Sequence, residues 1–582
     1  MDASRWIANR VTLNSSGVYE VVGLPPIPYS DGRANEKYLE NAFTSSDDLS
    51  SVSAELEGYI KDWPSEYHLS RRRAQLLAGL EFDTSSSVLE VGCGCGAITR
   101  FLGERFESVV SVEGSPERAA LARQRCADLE NVLVICAPYE ELTFTDNFDL
   151  LVCVGVYEYA SIFVKGPSPH ARVLDYFSRQ LSDDGVLLLA IENQYGLKYF
   201  AGASEDHTQK PYDGIESYAK SPNQPRTFGH ARLKRDLKKN FKDVSFFFPF
   251  PDYKIPDLLL SESAFEHLDV TALLGTFEST DYSTKFRPEF AEREAWRDIV
   301  DNDYVSIFAN SFLITAGKKL NQRRAVFSDL AVSFNRNRAE PFHTKSRLFL
   351  KGDEAWIAKS KLNACTSESV NDLQLRSYTE LWQHGETVHT LVRRNALSRS
   401  AAFDEVFAPV SGWYDLVVTS EKDGFLPGHM LDAIWQNTVS TEDGAVLIDQ
   451  EWQHVDRISI QYLFIRSVFW FLVDIRSGTD IANELRWKSV RSVCHKLAKM
   501  YGMNIDSGDF SSFLQKESSL NGAVFGRPTK RVLLRFQLYL HTPHAIRVNL
   551  LAAEERIKVV VAFASKIGKV ALRVIRKNQP GI

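Results

Sequence analysis

The chain has 582 residues, of which 25% are charged, and a formal net charge of −7. This length exceeds what one hydrophobic core supports, so two or three domains are expected, and the acidic balance gives no reason to expect a nucleic-acid partner. No run of about 18 apolar residues predicts a membrane-spanning helix. The first ten residues lack the layout of a signal peptide. The seven cysteines are scattered, which favours reduced thiols and a cytoplasmic location.

The first 55 residues have weak hydrophobic patterning, with a Ser/Asp-rich stretch from Thr44 to Ser53. They predict an extended N-terminal arm or a small cap over residues 1–55. An α/β domain is predicted to follow over residues 56–320, beginning with a helix from Glu66 to Leu77.

The most informative segment, SVLEVGCGCGAITR, runs from Ser87 to Arg100. Its apolar residues predict a buried strand that is followed directly by a helix. Between them, Gly92, Gly94 and Gly96 allow a sharp turn and a close approach of the backbone to a ligand. In a doubly wound sheet such a ligand lies at the carboxyl ends of the strands.

The glycine pattern alone also fits dinucleotide binding, because Gly92, Gly94 and Ala97 satisfy G-x-G-x-x-A. Two acids favour S-adenosylmethionine over NAD. Glu90 can bind a cationic amino-acid group but would repel a pyrophosphate, and Glu113 ends the next strand, where it can accept both ribose hydroxyls. The pattern E-x-G-x-G-x-G with a downstream acid resembles the class I methyltransferases. A strand, turn and helix of some other α/β fold is the alternative.

Further strands alternate with helical segments, which indicates βαβ units and a mostly parallel sheet. The fold class predicted is therefore α/β, a doubly wound Rossmann-like sheet. The resemblance implies that Ala137, after the third strand, contacts the adenine, and that Val156, after the fourth, faces the cofactor. The last two strands are predicted within Phe246–Ser261 and Phe308–Gly317.

The segment after Glu192 is rich in glycine, polar and aromatic residues and predicts a long loop or lid over the acceptor; purely structural aromatic residues are the alternative. Its motifs, with FPFPDYKIP and ANSFL downstream, resemble methyltransferases encoded among bacterial O-antigen and capsule biosynthesis genes. A phosphate or carboxylate acceptor would need no base. For a sugar hydroxyl, the candidate bases are Glu158, Glu192, Asp206 and His207, of which His207 is preferred.

A second module is predicted over residues 325–525. It opens with a β-hairpin from Ser346 to Leu362 that contains Lys359. Asp432, Asn437 and a strand-terminal Asp449 then follow the order in which kinase-like folds place a catalytic base and two magnesium ligands. In that arrangement Lys359 would contact the phosphates of ATP.

The kinase pattern is incomplete, because HMLD replaces H-R-D and no glycine-rich loop precedes the lysine. An active kinase, an inactive kinase-like module and a chance spacing all remain open. The order of the two modules resembles the bifunctional kinase–methyltransferases that terminate O-antigen chains by phosphorylating the terminal sugar and methylating that phosphate.

Residues 530–582 predict a helical tail, and its segment from Leu550 to Lys577 is basic and amphipathic. Such a helix can lie on an anionic membrane or pack on a protein. The expected protein is thus a methyltransferase acting on an O-antigen-type terminus or its phosphate, with S-adenosylmethionine, ATP and Mg²⁺ as cofactors. Expected partners are a glycan or lipid-linked polysaccharide and a peripheral contact with the inner membrane. The alternative is a stand-alone sugar or small-molecule O-methyltransferase with an inactive scaffold module.

Overall fold

A computed structural model describes residues 2–27, 29–30, 32–279, 282, 288–362, 372–442, 444–475 and 481–547. In chain order its strands are β1 Val11–Leu13, β2 Tyr19–Val21, β3 Glu81–Phe82, β4 Ser87–Val91, β5 Ser108–Glu113, β6 Val132–Cys136, β7 Phe148–Val154, β8 Leu181–Glu192, β9 Asp243–Phe250, β10 Leu258–Ser261, β11 Ser311–Gly317, β12 Ala325–Val326, β13 Ala331–Asn335, β14 Thr344–Lys351, β15 Glu354–Lys361, β16 Leu373–Leu375, β17 Tyr378–Leu381, β18 Phe425–Leu426, β19 Thr438–Thr441, β20 Gly444–Leu447, β21 Trp452–His454 and β22 Ile458–Ser459.

The α-helices are α1 Arg33–Thr44, α2 Ala54–Glu57, α3 Trp63–Leu69, α4 Gln75–Ala78, α5 Ala97–Gly103, α6 Pro116–Arg125, α7 Ala160–Phe163, α8 Pro169–Gln180, α9 Leu197–Phe200, α10 His230–Leu237, α11 Ala264–His267, α12 Thr271–Leu274, α13 Glu292–Asp301, α14 Val305–Phe308, α15 Val388–Leu397, α16 Phe403–Phe407, α17 Val410–Thr419, α18 Ile460–Asp474, α19 Asn483–Arg486, α20 Val490–Met500, α21 Ser507–Phe525 and α22 Thr529–His541.

The chain divides into two compact units. Unit 1 comprises residues 1–336, 344–359 and 379–382, and unit 2 comprises residues 337–343, 360–378 and 383–582. No helix in the described ranges has the length and apolar character that crossing a membrane requires. The predicted basic amphipathic segment from Leu550 to Lys577 lies outside the described residues.

Unit 1 is built on one sheet with the strand order β1-β2-β6-β5-β4-β7-β8-β11-β9-β10-β13-β14-β15-β17. Strands β2, β6, β5, β4, β7 and β8 pair in parallel with one another in this order, whereas β11 is antiparallel to both β8 and β9. The predicted α/β doubly wound sheet is confirmed. The strand order reverses between β4 and β7, and such a switch point is where this class of fold binds its ligand.

The central strands are apolar because both faces of the sheet are covered. Along β4, Val88 packs into the core on one face, while Leu89 and Val91 pack into the core on the other. Glu90 points to the same face as Val88 and is only 3% exposed. An acid at such a position is costly unless it has partners or a ligand.

Three segments differ from the sequence prediction. Strand β2, within the predicted N-terminal arm, pairs in parallel with β6 and so extends the sheet. The segment Phe246–Ser261 forms two antiparallel strands, β9 and β10, and not one. The hairpin β14–β15, predicted to open the second module, continues the sheet of unit 1, so the compact units do not follow a boundary at residue 325.

Unit 2 has a largely helical core. Its helix α18 is buried along most of its length and packs against α20 and α21. Short antiparallel strand pairs accompany these helices, among them β19–β20 and β16–β21.

Candidate functional site

Unit 1 contains a cavity of about 450 Å³ at the carboxyl ends of β4, β5 and β7. This volume lies in the range that small-molecule sites of proteins occupy. The lining includes the glycine loop on one side and a cluster of acids, a histidine and a lysine on the other. The predicted cofactor residues of this domain that line the cavity are Glu90, Gly92, Gly94, Glu113, Ala137 and Val156.

The glycine loop has the left-handed backbone that its sequence predicts. Gly92, Gly94 and Gly96 have φ values of 75°, 57° and 85°, where a side chain would be strained. At Gly96, the residue directly before helix α5, an added Cβ would lie 2.8 Å from the Cα of Ala122. Gly96 therefore permits the close packing of α5 on α6, whereas Gly92 and Gly94 line the cavity.

Glu90 ends below the loop and is held by two hydroxyl groups. Thr99 Oγ1 and Ser111 Oγ each donate to Glu90 Oε2 at 2.7 Å. Burial raises the pKa of Glu90 to about 7, although these two hydrogen bonds oppose the shift. No hydrogen bond from the described residues reaches its other oxygen, Oε1, which leaves that atom for a ligand.

Glu113 organises the second wall of the cavity. Its carboxylate accepts the backbone N–H of Gly94 at 2.8 Å and that of Ser115 at 3.0 Å. Its backbone carbonyl accepts the N–H of Ala137 at 3.0 Å. Val156 lies opposite, so close to Gly92 that a Cβ on that glycine would overlap the valine side chain.

At the far end of the cavity the structure brings Glu158, Glu192 and His207 together. His207 Nε2 lies 3.6 Å from Glu192 Oε2 and 3.9 Å from Glu158 Oε1. Both glutamates have no exposed surface. His207, the base preferred from the sequence, thus forms one cluster with Glu158 and Glu192, two of the alternative bases. Both distances from His207 Nε2 to the glutamate oxygens are longer than a normal hydrogen bond.

Two lysines support this cluster, and the sequence analysis missed both. Lys254 Nζ contacts Glu192 Oε1 at 2.5 Å and Asp206 Oδ1 at 3.1 Å, and Lys198 Nζ contacts Asp206 Oδ2 at 2.7 Å. Both lysines are almost fully buried. For Lys254, the signal in the sequence was its position within the apolar stretch FPFPDYKIP, which predicts burial. A buried ammonium group needs a carboxylate partner.

The buried charges shift one another's pKa values. Burial, followed by the neighbouring Glu192, raises the pKa of Glu158 to about 8. Burial alone would raise the pKa of Glu192 as well, but Lys254 and His207 lower it well below its usual value. Burial would lower the pKa of His207, yet Glu192, Glu158 and Glu205 raise it to about 9.

In unit 2, the predicted catalytic and metal residues also lie near one another. Asn437 Nδ2 donates to Asp432 Oδ2 at 2.7 Å, and Arg466 Nη1 contacts Asp432 Oδ1 at 2.8 Å. Asp449 accepts a hydrogen bond from Tyr378 at 2.7 Å and has a left-handed φ of 52°. Burial, with Glu451 and Asp449 nearby and Arg466 opposing, raises the pKa of Asp432.

Lys359, the predicted phosphate ligand, lies on β15 in unit 1 with 9% of its surface exposed. It retains the strand position that the sequence predicts. Its proposed role toward ATP stays a prediction.

Residues 89–189 match the model of a protein family described as a methyltransferase domain. Among curated proteins, the chain is 26% identical over 111 residues to the malonyl-(acyl-carrier protein) O-methyltransferase of Priestia megaterium. That match covers 19% of this chain and 38% of the relative, so the chain spans less than half of the relative's length.

Two solved structures are also similar. One is the N-methyltransferase NodS of Bradyrhizobium japonicum in complex with S-adenosylhomocysteine, 19% identical over 28% of this chain and 74% of that one, with a TM-score of 0.20. The other is the YcgJ protein of Bacillus subtilis, 15% identical over 43% and 98% of the two chains, with a TM-score of 0.25. The family match shows that unit 1 contains a methyltransferase domain.

Proposed function

We propose that unit 1 transfers a methyl group from S-adenosylmethionine to a hydroxyl group of a glycan, of the kind found at the end of an O-antigen-type polysaccharide. The observation that carries this proposal is that one cavity has two chemically different ends. The glycine loop with Glu90 and Glu113 forms one end, and the cluster of Glu158, Glu192 and His207 forms the other.

The first end fits the donor. Bound S-adenosylmethionine supplies an electrophilic methyl group on a positively charged sulfur. Glu90 offers Oε1 to the cationic amino-acid part, and Glu113 stands at the end of β5, where its carboxylate can accept ribose hydroxyls. The left-handed glycines leave the backbone open to a ligand. These residues bind and orient, and alignment of donor and acceptor is the main contribution that such a transfer requires.

The second end favours a hydroxyl acceptor over a phosphate. The carboxylate of Glu192, whose pKa Lys254 and His207 hold well below its usual value, would repel a phosphate dianion. Lys254 is already paired with Glu192 and Asp206 and offers little free positive charge. A neutral sugar hydroxyl can instead donate a hydrogen bond to Glu192 Oε2, which has no hydrogen-bond partner among the described residues and can orient the acceptor oxygen.

The donor assignment is tested by calorimetric titration of the full-length protein with S-adenosylmethionine and, separately, with NAD. We expect binding of S-adenosylmethionine only, and its loss in Glu90→Ala. The variant Glu354→Ala, which removes an exposed acid on β15, serves as the matched control. Binding of NAD that survives in Glu90→Ala would overturn the assignment.

The acceptor is tested with isotopically labelled methyl donor and two matched oligosaccharides, one with a free terminal sugar and one with a phosphorylated terminus. Mass spectrometry of the products locates the methyl group. We expect label on carbon-bound oxygen of the unphosphorylated glycan. Label on the phosphate alone would contradict the hydroxyl assignment and would favour the coupled kinase–methyltransferase scheme.

A second candidate function, phosphorylation by unit 2, is favoured by one observation. Asn437 contacts Asp432, and Asp449 lies near enough to raise the pKa of Asp432, as expected of a base beside two magnesium ligands. We expect calorimetry to detect binding of ATP with Mg²⁺, and Asp449→Ala to abolish it, whereas Asp456→Ala in an exposed turn leaves it unchanged. No binding at millimolar nucleotide would leave unit 2 as the inactive scaffold of the alternative hypothesis.

The proposal includes a lipid-linked polysaccharide as the partner and a peripheral contact with the inner membrane. A lipid-linked polysaccharide would reach a cytoplasmic enzyme at the inner membrane, and the basic segment of the tail is the element expected to make that contact.

A further inference from the structure

The cluster of Glu158, Glu192 and His207 has the composition of a metal site. One donor atom from each residue lies within 4.8 Å of the other two. The distances of 3.6 Å and 3.9 Å from His207 Nε2 to the glutamates slightly exceed the separation of about 3.4 Å between neighbouring ligands of a tetrahedral ion with bonds near 2.1 Å. The three donor atoms therefore lie close enough together for one cation to contact all of them.

The donor atoms are buried and have no hydrogen-bond partner among the described residues. This holds for both oxygens of Glu158, for Glu192 Oε2 and for His207 Nε2. Glu158 and Glu192 are completely buried. A buried polar atom without a partner costs free energy, so native proteins rarely retain four of them at one point unless a ligand satisfies them.

The neighbours hold these donors in place. Lys254 and Tyr253 both donate to Glu192 Oε1, at 2.5 Å and 3.2 Å, so that Oε2 faces the cluster. The His207 backbone N–H donates to Glu205, and its ring packs edge-on against Tyr159. Such supporting contacts orient ligands at known metal centres.

We propose that Glu158, Glu192 and His207 bind a divalent cation of the Mn²⁺ or Zn²⁺ type, whose remaining coordination positions face the cavity and hold acceptor oxygens. Two carboxylates and one imidazole are a ligand set that suits these ions. The identity of the acceptor rests on the proposed function, whereas the cation site stands on the cluster itself. Vicinal hydroxyls of a sugar are the acceptor chemistry that such an open site favours.

The test is titration of EDTA-treated, full-length protein with MnCl₂, followed by calorimetry and by loss of the EPR signal of free Mn²⁺. The Asp449→Ala background removes the metal ligand predicted in unit 2. We expect one Mn²⁺ per chain, competed by Zn²⁺, and binding weakened at least about tenfold in Glu158→Gln and in His207→Ala. Asp213→Asn is the matched control, because Asp213 is equally buried and its carboxylate also has no partner in the described residues.

Absence of Mn²⁺ and Zn²⁺ binding, or binding that is unchanged in Glu158→Gln and His207→Ala, would overturn the inference. Circular dichroism of each variant shows whether it folds. If His207→Ala does not fold, the conservative variant Glu158→Gln still tests the site. Binding of S-adenosylmethionine is measured on the same EDTA-treated samples. A protein that binds S-adenosylmethionine but no cation would keep the proposed function and disprove the cation site. A protein that binds the cation but not S-adenosylmethionine would keep the cation site and disprove the proposed function.

Discussion

Two clusters of buried acids in this chain are arranged in opposite ways. In unit 2, Arg466 contacts both Asp432 and Glu517, and Tyr462 and Trp470 donate to Glu517 as well. In unit 1, Glu158 has two carboxylate oxygens without a partner in the described residues. In the first cluster protein groups satisfy the acids, whereas in the second the described residues leave both oxygens of Glu158 without a hydrogen bond.

This difference separates structural from functional use of buried charge. A carboxylate whose partners are all present stabilises one conformation, and its removal destabilises the fold. A buried carboxylate without hydrogen-bond partners costs free energy, and where it lines a cavity it is available to bind a ligand. Three predictions test this distinction.

The largest effect is expected for Arg466→Leu, because it leaves Asp432 and Glu517 buried without a cation. We expect a loss of about 3–5 kcal/mol in the free energy of local unfolding. Hydrogen exchange of peptides from α18, measured by mass spectrometry, reports this loss directly. Arg531→Leu, at an exposed position of α22, is the control that removes a charge without a buried partner.

Arg466→Lys keeps the charge but not the geometry of the guanidinium, so it should recover part of the protection. Equal exchange rates in wild type and Arg466→Leu would show that the arginine is not what compensates these acids.

A smaller effect of opposite sign is expected for Glu158→Gln in the metal-free protein. Since burial opposes ionisation of Glu158, the neutral amide should raise the free energy of unfolding, by about 2 kcal/mol. Thermal unfolding in EDTA measures the change, with Glu354→Gln as the exposed control. A destabilised variant would mean that Glu158 is a structural acid like Glu517. Methyl transfer should be lost in the same variant.

The sequence predicted a region well where the residues that form it are close together in the chain, and poorly where they are far apart. Glu90, the glycine loop and Glu113 span 24 residues and belong to the consecutive elements β4, α5 and β5, so the local sequence was enough to predict their positions. Glu158 and Glu192 lie at the carboxyl ends of the neighbouring parallel strands β7 and β8, so their proximity follows from the predicted sheet. His207 reaches them only through the path of the long loop after β8, and its position was therefore not predictable, although it was named as a candidate.

The sequence analysis also missed that β2 and the hairpin β14–β15 join the sheet of unit 1. Strands β1 and β2 have three residues each, too few for a recognisable alternation. The hairpin β14–β15 was recognised as a hairpin, but its alternation of apolar residues does not specify which sheet it joins. Lys254 was missed because its carboxylate partners, Glu192 and Asp206, are more than forty positions away in the chain.

Glu90 is intermediate between Glu517, whose partners are all present, and Glu158, which has no hydrogen-bond partner in the described residues. The smallest of the three predicted effects is the dependence of donor binding by Glu90 on pH. Thr99 and Ser111 satisfy one oxygen, and burial still raises the pKa to about 7 from 4.5. Its contribution to stability is thus fully present below about pH 4.5 and is lost as the pH rises through about 7. A cationic donor needs the ionised form, so affinity for S-adenosylmethionine should rise with pH up to about 7 and then level off.

Calorimetry between about pH 6 and pH 8 should show an increase in affinity of up to about tenfold, accompanied by release of a proton near pH 7. Glu90→Gln should bind weakly and without this pH dependence, while Glu354→Gln should follow the wild type. The same slope in Glu90→Gln would assign the titration to another group, and a flat wild-type profile would mean that Glu90 binds the donor only through its neutral form. Because Thr99 and Ser111 stabilise its carboxylate, Glu90 should take up its proton at a lower pH than Glu158, which has no hydrogen-bond partner within the described ranges and a pKa of about 8.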